Sequence, residues 1–312
     1  MAERNPIKAL PFRERWHYGW GQARRYKQLY LMLAPYMLCF ALFTVIPVLV
    51  SIYFSFTQFN VLQPPQFVGL RNYSKLFLDD PIFLKAIKNT LLLALITGPF
   101  GYIFSFLMAW LLCELPPRLR AVLTVIFYAP SISGNAYVIF TQLFSGDAYG
   151  FINARLLNLG VISDPVLWLR DESYMMAIVI LVSLWMSLGV GFLSFIAGLQ
   201  GVEKAQYEAA EVDGVRNRWQ ELWYITLPNM VPQLLFGAVM AVTGSLAIAD
   251  VTVALNGFPS TNYATHTIIN HLNDYGIIRL EMGYACAIAV LLFFMMLFIN
   301  KIVQKTLGKV GS

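Results

Sequence analysis

The hydrophobic pattern of this 312-residue chain consists of long apolar runs separated by shorter polar segments. Six runs reach the roughly 20 residues that a helix needs to cross about 30 Å of hydrocarbon. They cover approximately residues 29–56, 89–113, 121–144, 174–199, 229–254 and 282–303. The pattern therefore predicts an all-α polytopic membrane protein with six transmembrane helices.

The composition agrees with this prediction, because 58% of the residues are hydrophobic, only 12% are charged and the mean hydropathy is +0.62. These values lie far outside the range of soluble globular proteins. His266 and His271 are five residues apart, a spacing that on one helix turns the two side chains to different faces. The three cysteines show no metal-ligand spacing either, so we predict no metal site.

The basic residues predict which side of the membrane each polar segment faces. Residues 1–28 hold seven Lys or Arg. We interpret this N-terminal arm as a topological anchor on an anionic cytoplasmic surface, with a regulatory arm as the alternative. With the N-terminus inside, the inside segments hold fifteen of the 22 Lys and Arg and the outside segments hold seven. Both termini are therefore expected in the cytoplasm, with residues 29–312 forming the six-span domain.

The stretch at residues 207–232 is the least apolar long interval in the second half of the chain, and the predicted cytoplasmic loop around it covers residues 200–228. Its residues predict a helix from about 202 to 213 that Gly214 ends, followed by an amphipathic turn from 219 to 224. Ala209 and Ala210 leave a helix face nearly bare, where another protein can approach closely. Glu208 and Asp213 flank that face with negative charge.

Three strings in this segment resemble the cytoplasmic loop of the membrane permeases of binding-protein-dependent ABC importers. They are Glu208-Ala209-Ala210, Asp213-Gly214 and Ile225-Thr226-Leu227-Pro228. In that family the loop is a coupling helix that docks into a cleft of the ATPase subunit. The resemblance implies ATPase-coupling roles for Glu208, Ala209, Ala210, Asp213, Gly214, Leu227 and Pro228. The spacing departs from the family by one residue, because ten residues separate Gly214 from Ile225 where nine are usual.

A second string narrows the resemblance to carbohydrate-uptake permeases. Residues 67–73, Phe-Val-Gly-Leu-Arg-Asn-Tyr, are followed by Asp79-Asp80 and Asn89-Thr90, and together they look like the first external segment of those proteins. The likeness extends over nearly the whole chain after residue 29. It implies a maltose-type, type I ABC importer permease fold in a bacterial cytoplasmic membrane.

The same resemblance implies the partners: a second, non-identical permease, two ATPase subunits, an extracytoplasmic solute-binding protein, membrane lipid, and a sugar or oligosaccharide as substrate. The chain has no Gly-x-x-x-x-Gly-Lys-Ser/Thr motif, so we expect no cofactor in it and expect Mg-ATP to bind to the ATPase partners. No external segment exceeds about 35 residues, which is too short for a separate binding domain. No nucleic-acid partner is expected.

Polar residues inside the predicted spans are candidates for the substrate path, because such residues are costly in a membrane. Asp250 is the only carboxylate well inside a predicted span, and sugar hydroxyls could donate to it; a structural acid satisfied by neighbouring helices is the alternative. Asn135, Tyr137 and Gln142 in the third span are assigned to the passage. Ser133 is interpreted as an interhelical hydrogen-bonding residue.

Three other functions stay open at this point: a permease for another solute class, a secondary transporter, and a membrane-embedded enzyme. A secondary transporter would need intramembrane ionisable relays, for which Asp250 alone gives little support. The sequence lacks a Ser-His-Asp set, a His-Glu-x-x-His motif and paired catalytic carboxylates, which weakens the enzyme hypothesis. We therefore predict a transport subunit without enzymatic activity.

Overall fold

The computed structural model describes residues 25–134 and 136–307, so Asn135 and nearly all of the predicted N-terminal arm lie outside the described residues. Two compact units are distinguished, Met1–Tyr53 and Phe54–Ser312. The described part of the first unit is helical: α1 (Lys27–Phe40), a π turn over residues 41–45, and α2 (Ile46–Ser55), which extends into the second unit. Pro47 lacks the N–H that an uninterrupted α-helix needs, and the π turn ends two residues before it.

The second unit is also almost entirely helical. Its short strands β1 (Thr57–Gln58) and β2 (Gln66–Phe67) pair antiparallel, with Thr57 opposite Phe67. The helices that follow are α3 (Arg71–Ser74), α4 (Pro81–Cys113), α5 (Pro117–Ile132), α6 (Val138–Leu143), α7 (Phe151–Asn158), α8 (Glu172–Trp185), α9 (Val190–Gly201), α10 (Lys204–Val212), α11 (Arg218–Glu221), α12 (Leu227–Asn229), α13 (Val231–Leu246), α14 (Asp250–Asn256), α15 (Ile268–Asn273) and α16 (Met282–Leu307). π turns join several of them, at Lys75–Asp79, Leu222–Thr226 and Asp274–Ile278.

Helix α4 is the longest helix of the described chain and packs against both α9 and α13. Asp80 caps its first turn, where the Asp80 Oδ1 atom accepts a hydrogen bond from the Phe83 N–H at 2.9 Å, and Pro81 occupies the first helical position. The core between these helices contains Phe106, Phe192, Phe195 and Leu234. Gly237 lets α13 approach closely, because an added Cβ would lie 2.3 Å from the Phe195 ring.

Within the described residues, four helices are long and apolar enough to cross a membrane: Lys27–Ser55, Pro81–Cys113, Glu172–Gly201 and Met282–Thr306. A fifth is obtained if Arg218–Asn229 and Val231–Leu246, which are bent by 83°, are counted as one span. The described residues thus confirm an all-α protein with several membrane-spanning helices. The count of six stays a prediction.

The predicted third span, residues 121–144, is two shorter helices in the structure. Helix α5 ends at Ile132, two residues after Pro130, and Ser133 has an extended backbone with ψ 103°. Pro130 cannot donate to the carbonyl one turn before it, and Gly134 follows at the break. Hydrophobicity alone predicts a continuous helix here because it does not register a missing backbone donor.

The predicted fifth span is broken as well, which changes the position of Asp250. Helix α13 ends at Leu246, and Ala249 has non-helical angles of φ −143° and ψ −48°. Asp250 is therefore the first residue of the short helix α14 and is exposed. The predicted fifth span is thus not one continuous helix, and Asp250 begins its second part. An acidic side chain in the first turn of a helix is favoured by the partial positive charge of that end.

Candidate functional site

The first candidate site is the loop at residues 203–229, which joins α9 to α13. Its helix α10 ends as the sequence predicts: the Val215 N–H donates to the Ala210 carbonyl at 3.0 Å and the Gly214 N–H donates to the Glu211 carbonyl at 3.2 Å. This pair of bonds is a Schellman motif. It requires a residue in the left-handed region, and Gly214 has φ +96°. The direction in which the chain leaves α10 therefore depends on Gly214.

The exposed face of α10 differs from the face that the sequence predicts. Ala209 is exposed, but Ala210 is half-buried. Ala205, Ala209 and Val212 recur at helical spacing, are all exposed, and form a narrow apolar stripe, with Val212 88% exposed. Ala209 and Ala210 are about 100° apart on a helix, so the more exposed face is centred on Ala209 rather than on the pair.

The charged and terminal residues of the predicted coupling set also have defined positions. Glu208, Asp213, Gly214 and Pro228 are exposed, whereas Leu227 is half-buried. Side-chain contacts join the first part of the loop to the last. The hydroxyl oxygens of Tyr207 and Thr226 lie 2.9 Å apart, and the Asn229 amide donates to Gln206 Oε1 at 2.6 Å. The two halves of the loop are thus held together as one body.

Two contacts tie this loop to the end of α4. The Arg218 guanidinium lies 3.1 Å from the Glu114 carboxylate, which directly follows α4, and 2.8 Å from the Glu221 carboxylate. The rings of Trp110 and Trp219 lie 5.2 Å apart between centroids. Arg120 and Lys204 line a cleft of about 520 Å³ beside these contacts. Local sequence patterns do not predict this connection, because the residues belong to separate segments of the chain and no spacing pairs them.

The second candidate site is a cleft of about 410 Å³ beyond the other end of α13. Tyr137, Asp250, Phe258 and Asn273 line it together with apolar side chains of α14 and residues 277–278. The structure thus brings together two of the four residues that were predicted to lie along the substrate path, Tyr137 and Asp250. Gln142 is exposed and does not line this cleft, and Asn135 lies outside the described residues.

A buried polar cluster, which the sequence analysis did not predict, surrounds the start of α4. His271 Nε2 lies 3.0 Å from Asp80 Oδ2, and the Tyr284 hydroxyl donates to the same oxygen at 2.8 Å. His266 Nε2 lies 3.4 Å from His271 Nδ1. The inference that the two histidines face apart was wrong, because His266 precedes Thr267, the N-cap of α15, and is not on the helix. We call these residues the Asp80 cluster.

The surroundings of the Asp80 cluster lower the pKa values of Asp80 and His266. Burial alone would raise the pKa of Asp80, but the hydrogen bonds from His271, the Phe83 N–H and Tyr284 outweigh it, so the pKa of Asp80 lies well below its usual value. Burial, together with the nearby His271, lowers the pKa of His266 to about 4. His266 is therefore neutral at pH 7. In the described part of the chain, no group of three or more His, Cys, Asp or Glu side chains is placed to hold a metal ion.

Comparison with known proteins gives a consistent picture. Residues 101–308 match the family model described as "Binding-protein-dependent transport system inner membrane component". The chain is 30% identical over 281 residues to the probable ABC transporter permease protein YesP of Bacillus subtilis, covering 89% of each chain. It is 30% identical over 287 residues to the arabinooligosaccharides transport system permease protein AraP of the same organism, covering 89% of this chain and 88% of AraP.

Two further similarities extend the comparison. The sulfoquinovosyl glycerol transport system permease protein SmoG of Agrobacterium fabrum is 31% identical over 271 residues, which is 84% of each chain. Among solved structures, a chain of a bacterial ABC transporter involved in the import of the acidic polysaccharide alginate is 25% identical. It superposes with a TM-score of 0.75 over 94% of this chain and 99% of its own length. The fold predicted from the resemblance is thus confirmed.

Proposed function

We propose, from the premise that this chain belongs to the family of binding-protein-dependent transport system inner membrane components, that it is the sugar-translocating permease subunit of an ATP-driven importer. Two of the relatives described above carry names that specify the transport of arabinooligosaccharides or of a sulfoquinovosyl glycerol. A sugar or oligosaccharide is therefore the substrate class that similarity favours. The host membrane is the cytoplasmic membrane of a bacterium, with the chain spanning it several times.

The proposed topology has six spans with both termini in the cytoplasm. The supporting observation is the fifteen-to-seven distribution of Lys and Arg between the two sides. In this orientation the basic arm at residues 1–28 and the loop at residues 203–229 both face the cytoplasm. The 410 Å³ cleft at Asp250 then faces outward.

The observation that carries the coupling role is the construction of α10. Its exposed stripe of small apolar residues, Ala205, Ala209 and Val212, suits close approach by another protein. The Gly214 motif fixes the end of the helix, and Arg218 joins the loop to Glu114 at the end of α4. A displacement of α10 is thereby passed to the longest helix of the bundle. Glu208, Asp213, Leu227 and Pro228 complete the proposed ATPase-coupling surface.

The partners follow from this role. Two ATPase subunits bind Mg-ATP and close against the loop, a second, different permease completes the translocation path, and an extracytoplasmic solute-binding protein delivers the sugar. A relative of this fold is described in complex with an alginate pentasaccharide-bound periplasmic protein, which supports the last of these partners. Alternating access is a rocking of the two permeases about the path between them.

The outward cleft is proposed as part of the sugar path. Tyr137 and Phe258 offer aromatic rings on which a sugar face can pack, and Asp250 can accept hydrogen bonds from hydroxyl groups. Asp250 is the only ionisable residue apart from tyrosine among those that line the described cleft. Its negative charge favours neutral sugars over acidic ones. Asn135 and Gln142 remain proposed path residues on the same polar stretch.

The deciding experiment enlarges the exposed stripe of α10. Ala209→Trp should clash with a docked ATPase while the permease stays inserted, because Ala209 contacts solvent rather than the bundle; overpacked interfaces typically cost about 1–3 kcal/mol. Ala209→Ser keeps the side chain small and is the matched control. Sugar uptake and ATPase co-purification should fall for Ala209→Trp and stay normal for Ala209→Ser. Normal values for both variants would contradict the coupling role.

A second experiment separates the path from the coupling surface. Asp250→Asn removes the charge of the cleft and keeps the size of the side chain. It should lower uptake of a neutral sugar while leaving ATPase association unchanged, because the loop at residues 203–229 is untouched. Loss of the whole complex from the membrane would instead assign Asp250 a structural role.

A further inference from the structure

Three large aromatic side chains are exposed on the segment between α10 and α13. Trp219, Trp223 and Tyr224 are 65%, 66% and 70% exposed, and we call them the aromatic surface. The opposite side of the same segment is well packed: Leu222, Ile225 and Thr226 are buried. The exposure of the aromatic surface is therefore not a result of loose packing. One face of the segment is packed against the protein, and the other face exposes the three large aromatic rings.

The direction of this segment differs from that of the neighbouring span. Residues 218–229 are bent by 83° from α13. A membrane-spanning helix is tilted on average by about 20° from the bilayer normal, so a segment nearly perpendicular to it lies close to the membrane plane. Twelve helical residues extend for about 18 Å, which is too short to cross the hydrocarbon. With α13 in the predicted fifth span, this direction favours a position of the segment along one boundary of the bilayer.

The chemistry of the aromatic surface fits that boundary. Trp and Tyr concentrate where the hydrocarbon meets water, because their rings are apolar and their N–H and O–H groups stay hydrated. Arg216 and Gln220 are exposed beside them and suit the headgroup region. Val212, the exposed apolar residue of α10, lies on a different helix beyond the turn at Gly214.

We propose that Trp223 and Tyr224, with Trp219 beside them, insert into the headgroup boundary of the lipid bilayer and anchor residues 218–229 in the membrane plane. The anchor holds the loop at a fixed depth and leaves the apolar stripe of α10 clear of lipid. In this proposal the aromatic surface contacts lipid, whereas α10 contacts a protein partner. Two parts of this inference rest on the proposed function: the coupling of the loop to ATPase motion, and the assignment of this boundary to the cytoplasmic side. Insertion of the aromatic surface at a bilayer boundary does not rest on it.

The test measures lipid contact at single positions in nanodiscs, using the full chain with all subunits that co-purify with it. Cys39, Cys113 and Cys286 are replaced by serine, and Trp223→Cys or Val212→Cys is labelled with an environment-sensitive fluorophore. Phospholipids that carry a nitroxide near the headgroup quench fluorophores at the boundary. The label at position 223 should lose most of its fluorescence, and the label at position 212, the matched control, should keep it.

Three results would overturn the proposal. The first is an unquenched label at position 223, and the second is equal quenching at positions 212 and 223. The third is efficient cross-linking from position 223 to a second subunit, which would show that protein covers the aromatic surface. If Trp223→Cys does not assemble, Tyr224→Cys provides the same measurement. Quenching requires no transport, so failure of the coupling experiment on Ala209 leaves this result interpretable.

Discussion

The two ends of helix α4 are joined to the later part of the chain in opposite ways. At its start, Asp80 is buried and is hydrogen-bonded by His271 and Tyr284. At its end, Glu114 pairs with Arg218 while the two side chains are 45% and 64% exposed. The same helix therefore has a buried junction at Asp80 and a solvent-exposed junction at Glu114.

The difference in burial sets how easily each junction opens. Removal of one partner from a buried charged network leaves the others desolvated and unpaired, which is strongly destabilising. An exposed ion pair exchanges protein contacts for water at almost no net cost. The Asp80 cluster therefore suits a permanent attachment, and the Glu114–Arg218 pair suits a reversible link between the loop and α4. The following predictions test this contrast.

The largest effect is expected at Asp80. Asp80→Ala removes the N-cap of α4 and leaves His271 and Tyr284 without their shared acceptor, which should destabilise the protein by about 3–5 kcal/mol. The thermal unfolding of the purified permease measures this loss. Asp80→Asn keeps one acceptor oxygen and should lose less. A midpoint for Asp80→Ala equal to that of Glu114→Ala would remove the distinction between the two junctions.

Acidification should weaken the buried junction first. The folded-state pKa of His266 is about 4, below the value of 6.5 for an unperturbed histidine. Between these values the unfolded chain binds a proton that the folded chain does not, so stability is complete above pH 6.5 and falls as the pH approaches 4, by on the order of 3 kcal/mol.

Unfolding midpoints measured from pH 7.5 down to pH 5 test this dependence. His266→Phe removes the titrating group and should flatten the pH profile, even if its midpoint at pH 7.5 is lower. An unchanged slope for His266→Phe would show that another group causes the acid sensitivity.

A smaller, local effect is expected at Gly214. Its φ of +96° is in the left-handed region, so Gly214→Ala should strain the end of α10 by about 1–2 kcal/mol. Because this strain falls on the loop, uptake and ATPase association should drop while the overall unfolding midpoint changes little. Gly201→Ala is the matched control, because Gly201 has open space around it and no positive φ. Equal effects for the two variants would contradict the role of the Schellman turn.

The smallest effect on stability is expected at the solvent-exposed junction between Glu114 and Arg218. Glu114→Ala should cost at most about 1 kcal/mol, and less at high salt, because the ion pair with Arg218 is exposed. Coupling between hydrolysis and uptake should fall more clearly than stability. Glu114→Asp keeps the charge and is the matched control. Full coupling in Glu114→Ala would show that the pair transmits nothing from α10 to α4.

The sequence by itself determined the class of the protein and the centre of its loop. Apolar runs longer than 20 residues predict membrane helices because hydrophobicity is a property of each residue and needs no neighbours. The end of α10 was equally local, since only glycine adopts a positive φ without strain, and Gly214 is where the helix stops. The permease family was predicted from strings of adjacent residues for the same reason.

The tertiary structure alone decided which polar residues meet. Asp80 lies 191 residues from His271 and 204 from Tyr284, and no periodicity connects them. The open face of α10 depends on the packing of the folded loop, in which Ala210 is half-buried and Ala209 is exposed. Asp250 is at the start of a short helix rather than within a long one, because the helix breaks at residues 247–249. Burial and pairing are properties of distant segments brought together, so the sequence pattern around each residue does not contain them.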